Sequence, residues 1–86
     1  MRLEPEEIKA IIIRLKRANG HLASVIRMLE EGSECEDALT QLAAVNRAVS
    51  RGGYALVASG LERCIAEGGQ DSVDTQKLEK LFLALA

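Results

Sequence analysis

The sequence has almost no aromatic residues: no Trp, one Tyr (Tyr54) and one Phe (Phe82). Its apolar mass therefore has to come from Leu, Ile, Val and Ala, the composition of helix bundles and coiled coils. There is one proline, Pro5, and one histidine, His21. No stretch of ~18 apolar residues occurs, which excludes a membrane-spanning helix. The start, Met1-Arg-Leu-Glu-Pro-Glu-Glu7, is charged and lacks the apolar core of a signal peptide. The expectation is a cytoplasmic protein, and in that compartment its two cysteines, Cys35 and Cys64, do not form a standing disulfide. They are reactive, metal-binding or simply buried. There are no paired carboxylates at a predicted pocket, no Gly-rich phosphate loop and no Ser/His/Asp constellation, so nothing points to an enzyme.

What is present is aliphatic: 48% of the 86 residues are hydrophobic. The length suits one domain, residues 1–86, and a chain this short buries only a modest part of its surface alone. An obligate oligomer is expected. The net charge of −2 argues against a nucleic-acid partner, but the charges are segregated. Between Lys9 and Arg27 stand Lys9, Arg14, Lys16, Arg17 and Arg27 without one acidic residue; between Ala38 and Leu61 stand Arg47 and Arg51, again without an acid. A basic surface can hide behind that bulk value.

The chain punctuates itself as three helices. Pro5 suits a first helical turn, and Glu6 and Glu7 favour the positive end of the helix dipole. Ile8, Leu15, Leu22 and Leu29 recur every seven residues as a coiled-coil-like seam. Gly20 interrupts the pattern and is read as a place where two backbones approach closely. Gly32 is the expected helix end. Ser33-Glu-Cys-Glu36 matches a capping box, with Ser33 as the cap, and places Cys35 in the first turn of helix 2. Leu39, Leu42, Val45, Val49, Leu56 and Ile65 carry that helix to about Glu67, across Gly52-Gly53 and Gly60, where a kink is an open alternative. Gly68-Gly69 ends it. A short third helix is expected from Val73 to Leu85, with Leu78, Leu81, Phe82 and Leu85 on its apolar face. No segment reads as a strand.

On one straight helix Cys35 and Cys64 stand roughly 43 Å apart, at 1.5 Å per residue. A disulfide needs Cα atoms within about 7 Å. The two thiols can therefore meet only if helix 2 pairs antiparallel with helix 2 of a second subunit. Cys35 also sits where the dipole favours a thiolate, against the opposing charges of Glu34, Glu36 and Asp37.

Arg14-Leu-Lys-Arg-Ala-Asn-Gly-His-Leu22, Val25-Ile-Arg-Met-Leu-Glu30, Cys35-Glu-Asp-Ala-Leu39, Gln41-Leu-Ala-Ala-Val45 and Leu61-Glu-Arg-Cys64 together resemble the copper-sensitive operon repressor family. The resemblance covers about residues 8–86. It implies an all-α, three-helix subunit, an antiparallel dimer core, and a homotetramer built as a dimer of dimers. It further implies a transcriptional repressor that binds double-stranded operator DNA without a helix-turn-helix and is released by a signal. Arg14, Lys16, Arg17 and Arg51 match positions where such repressors carry DNA-contacting charge.

The signal is read from Cys35, Gly60 and Cys64. Copper-sensing members resemble the chain except that they carry His four residues before the second cysteine; Gly60 offers no ligand there, and Lys80 stands where they tend to carry an acid. Formaldehyde sensors use an N-terminal proline, where this chain has Arg2. Nickel and cobalt sensors need several histidines, and His21 belongs to a Gly-His-Leu stretch shared by members of several types. The persulfide-sensing members, the CsoR-like sulfurtransferase repressors, resemble the chain best: both cysteines, no histidine. The resulting expectation is a repressor released when Cys35 and Cys64 of neighbouring subunits react with sulfane sulfur to form a bridge, with no cofactor. The alternative is a Cu(I)-responsive repressor whose site is Cys35 and Cys64 alone, since soft thiolates suit Cu(I) at low coordination. A third reading is a helical scaffold that has lost sensing.

Overall fold

The computed structural model describes residues 2–68 and 73–86. Helix α1 runs Pro5–Glu30, α2 runs Cys35–Glu67 and α3 runs Val73–Leu85. At the start of α1 the backbone N–H of Glu4 donates to the Glu7 carboxylate at 2.8 Å. That bond satisfies a donor at a helix start, where no carbonyl one turn back is available. Glu6 and Glu7 then sit at the positive end of the dipole.

The turn between α1 and α2 is closed by Gly32, whose φ is +81°. This left-handed conformation is cheap only for glycine. Ser33 N–H donates to the Met28 carbonyl at 2.9 Å and Gly32 N–H to that of Leu29 at 3.2 Å. This pair of bonds is a Schellman ending. It engages Ser33 in finishing α1, so Ser33 does not cap α2 as its sequence context suggests. The cap residue is Glu34, with extended backbone and no side-chain capping bond. Cys35 is the first helical residue, and so lies in the first turn where the sequence places it.

Helix α2 is unbroken over 33 residues, across Gly52-Gly53 and Gly60. Two neighbours explain the glycine pair. A Cβ on Gly52 would lie 2.7 Å from Leu15 Cδ2, and one on Gly53 would lie 2.9 Å from Leu85 Cδ1. The glycines let α1 approach one side of α2 and α3 the other. Gly20 is different: nothing lies within 4 Å of a Cβ built there, so the expected close approach does not occur inside the chain.

α1 and α2 form an antiparallel hairpin, and α3 folds back on the C-terminal half of α2. Tyr54 and Phe82 pack with ring centroids 5.6 Å apart across α2 and α3. The buried positions repeat by seven: Ile11, Ala18 and Val25 on α1, and Ala38, Val45 and Gly52 on α2. The expected seam at Ile8, Leu15, Leu22 and Leu29 lies beside this one, and its last two members are 37% and 58% exposed.

The three helices lie side by side, within extents of 52 × 25 × 13 Å. The thin dimension is close to one helix diameter. A single layer of helices cannot cover both of its faces. Ile12, Ile13, Ile26, Leu39, Leu42 and Val49 are all more than 40% exposed in the isolated chain. Leu81, Phe82 and Leu85, which with Leu78 make the apolar face expected of α3, are also exposed, and only Leu78 is buried there. No helix among the described residues is long and apolar enough to cross a membrane.

Candidate sensing thiols and nucleic-acid interface

Arg14 and Arg17 stand one turn apart on α1, and His21 follows one turn later. The hairpin sets Arg51 of α2 opposite them. These four side chains, with Ala18 and Ala48, line an open depression of about 300 Å³. The two alanines matter because small side chains leave the concavity open. No carboxylate lines it. Three of the four arginine and lysine residues expected to touch DNA are therefore brought together by the fold. Lys16 is exposed but falls on another side of α1, since side chains one or two positions apart point in different directions around a helix.

His21 does not stand alone in this depression. Its Nε2 lies 2.7 Å from Oε1 of Gln41 on α2. Sequence alone leaves His21 between a ligand, a surface residue and a packing residue; in the fold it is half-buried and ties the two long helices together.

Cys35 is exposed at the first turn of α2, and Cys64 is buried one turn from its end. With α2 unbroken, the two stay roughly 43 Å apart along its axis. Among the described residues no cluster of three or more His, Cys, Asp or Glu side chains could hold a metal ion. Any site using both thiols must therefore span two chains.

Gly60, one turn before Cys64, is buried and lines a depression of about 450 Å³ between α2 and α3. Its other lining residues are Leu3, Gly53, Leu56, Val57, Leu78, Leu81, Ala84 and Leu85, all apolar. The side of α2 where a third ligand would be needed offers no donor, and no neighbour replaces one. Among the residues that line this depression, none has a side chain that could ligate a metal ion. Lys80 is exposed on α3.

The residue beside Cys64 is the least legible in sequence. Arg63 donates to Glu7 at 2.8 Å and to Glu67 at 3.0 Å, with Glu4 at 3.9 Å. The Glu67 partner is visible in the sequence as an i,i+4 pair. Glu7 is not, because only the hairpin register brings it near. This cluster pins the start of α1 to the last turns of α2. The hydrogen bond from Arg63, with a second from the Glu4 backbone, holds the Glu7 carboxyl below its ordinary 4.5. The clamp's contribution is thus complete above pH ~4.5 and is lost as pH falls through the lowered value. Glu7→Gln is expected to lower the melting temperature by a few °C at neutral pH, an order typical of modest surface changes. The gap to wild type should close as pH falls below ~4.5 through the lowered value. Circular dichroism melts across that range check it, and a gap that does not depend on pH would refute the ion-pair account.

Residues 7–86 match the family described as metal-sensitive transcriptional repressors, so the chain belongs to that family. Among curated proteins it is 34% identical over 77 residues to the copper-sensing transcriptional repressor CsoR of Mycobacterium ulcerans, covering 90% of this chain and 66% of that one. It is 38% identical over 60 residues to the copper-sensing transcriptional repressor RicR of Mycobacterium tuberculosis, covering 65% and 62%. It is 40% identical over 53 residues to the uncharacterised protein YrkD of Bacillus subtilis, covering 62% and 84%. The match thus spans about two thirds of the copper-sensing relatives. No solved structure matches. The family is one of transcriptional repressors and not of enzymes, as the sequence implies. Two of these three relatives are named for copper, YrkD is named for no signal, and none is named for sulfane sulfur, which moves the persulfide expectation from first place to second.

Proposed function

We propose that this chain is a DNA-binding repressor whose affinity for its operator falls when Cu(I) joins Cys35 of one subunit to Cys64 of another. One observation carries the reading: the chain has two cysteines, at opposite ends of an unbroken helix, in a family whose members include copper sensors. Each thiolate is a soft donor, and Cu(I) accepts two of them. Pairing α2 antiparallel with α2 of a second chain would bring Cys35 of each chain to Cys64 of the other, one site at each end of the helix pair, with the two sites related by the twofold axis. The exposed aliphatic face of the single helical layer supplies a surface for that association, and pairing of dimers into a tetramer would cover more of it. DNA would lie against Arg14, Arg17 and Arg51, with Lys16 at the margin. Copper is the signal here and not a resident cofactor.

A second reading rests on Gly60 and its apolar surroundings. Cys35 thiolate would attack a polysulfide, leaving a persulfide on Cys35 and releasing a shortened polysulfide. Cys64 thiolate of the neighbouring subunit would then displace hydrosulfide and form the bridge, with polysulfide as the oxidant.

One experiment separates the two. The reduced chain is titrated with Cu(I) against a competing chelator, and in parallel treated with polysulfide and read by intact mass spectrometry under denaturing conditions. Tight Cu(I) binding at one ion per thiol pair, with release of DNA, supports the copper reading. Gly60→His should then bind Cu(I) about tenfold tighter or more, a gain of ~1.4 kcal/mol, because it adds a donor beside Cys64. No Cu(I) binding together with sulfur-bridged dimers overturns the copper reading in favour of the second.

A further inference from the structure

His21 is the one histidine of the chain, and neither thiol chemistry nor the arginine contacts give it a role. Its Nε2 faces Oε1 of Gln41 at 2.7 Å. An amide oxygen only accepts, so Nε2–H donates and the ring is anchored across the α1–α2 boundary. A neutral imidazole has one proton, which leaves Nδ1 as a bare acceptor. Phosphate oxygens are acceptors too. The two can hydrogen-bond only after Nδ1 gains a proton.

We propose that His21 is a fourth phosphate-binding residue of the Arg14–Arg17–Arg51 depression and that it takes up a proton when a DNA phosphate enters. This rests on the DNA-binding reading above and adds a residue and a proton to it. The groups lining the depression with His21 are Arg14 and Arg17 of its own helix and Arg51 of α2; Gln41, which holds the ring, is neutral. A phosphate in the depression places negative charge beside the ring and favours the imidazolium. Binding and protonation are then linked, and affinity rises as pH falls through the range where an imidazole changes charge. Histidine is the one side-chain type whose ordinary titration lies in that range, and the chain has a single copy.

The probe is a labelled DNA duplex of arbitrary sequence and about 30 base pairs at about 50 mM salt, because phosphate contacts are independent of sequence and strongest at low salt. Anisotropy gives the affinity of the full chain between about pH 6 and pH 7.5. Wild type is expected to bind about fivefold tighter at the acid end, within the tenfold that one proton can supply per pH unit. His21→Ala should bind more weakly with a flat profile. His21→Lys, with a permanent charge, should bind tightly with a flat profile. Proton NMR of the single imidazole should show its titration midpoint rising when duplex is added. Duplex binding with the same pH dependence in wild type and His21→Ala, or an unmoved midpoint, would sink the proposal while leaving DNA binding intact. A midpoint raised as far by inorganic phosphate alone would reassign the depression to small anions and overturn the DNA assignment of His21. No duplex binding at low salt would remove the DNA reading itself.

Discussion

Arg14→Ala combined with Arg51→Ala is expected to weaken binding of duplex DNA roughly a hundredfold. A hydrogen bond to a charged group contributes about 1.5–3 kcal/mol. Two such bonds to one phosphate do not add fully, so the combined loss stays near the low end of that range for two bonds. The plot of log affinity against log salt should become shallower by about one for each phosphate contact removed. Lys16→Ala provides the contrast. It lies outside the depression and should cost far less than either arginine. All three side chains are exposed, so the variants should fold normally. Equal losses for Lys16→Ala and Arg51→Ala would mean that a broad basic face binds DNA and the depression has no special part in it. An unchanged salt slope in the double variant would place the DNA elsewhere on the molecule.

The second large effect concerns the thiols. Allosteric couplings between effector and DNA commonly amount to 5–150-fold in affinity. Cys35→Ser and Cys64→Ser should each reduce that ratio to about one while leaving the unliganded chain bound to DNA. Neither variant alone distinguishes a site within one chain from a site between chains. A mixture does. When chains carrying Cys35→Ser are unfolded and reassembled with chains carrying Cys64→Ser, a mixed antiparallel pair keeps one intact Cys35–Cys64 site and loses the other. Part of the response should return in the mixture. The prediction follows from the unbroken α2, which keeps the two sulfurs of any one chain roughly 43 Å apart. A mixture as inert as either parent would refute the intersubunit site.

The architecture also gives the signal a short route. Arg51 stands on α2 between the two cysteines, and Arg14 and Arg17 stand on α1. Bridging two copies of α2 at their ends constrains how each α2 can slide or turn against its α1. Any such shift would alter the spacing of Arg51 from Arg14 and Arg17, which in the proposed reading is the spacing a phosphate would meet. The Arg63 cluster with Glu4, Glu7 and Glu67 ties the same two helices together beside Cys64. Nothing in this route requires more than two arrangements of one hairpin, with the signal favouring the arrangement that binds DNA less well.

The sequence by itself determined the three helices, because their causes are local. Pro5 with Glu6 and Glu7, the glycines at 32 and 68, and the spacing of Leu, Ile and Val mark starts, stops and faces within a few residues of where they act. It also gave the missing donor at Gly60, and the separation of Cys35 from Cys64 on the condition that helix 2 is straight, a condition that only the unbroken α2 meets. Ser33 misled because two local rules compete at one residue, and finishing α1 won over capping α2. The buried seam at Ile11, Ala18 and Val25, displaced from the one read at Ile8, Leu15, Leu22 and Leu29, depended on which side of α1 meets α2. The tertiary structure alone decided that Arg51 joins Arg14, Arg17 and His21 in one depression, that Gln41 holds His21, and that Glu7 meets Arg63. Each of these joins residues 20 or more positions apart. Their proximity comes from the register of an antiparallel hairpin, set by the length of its turn and by the glycine that admits Leu15 against α2, and no periodicity within either helix encodes that register.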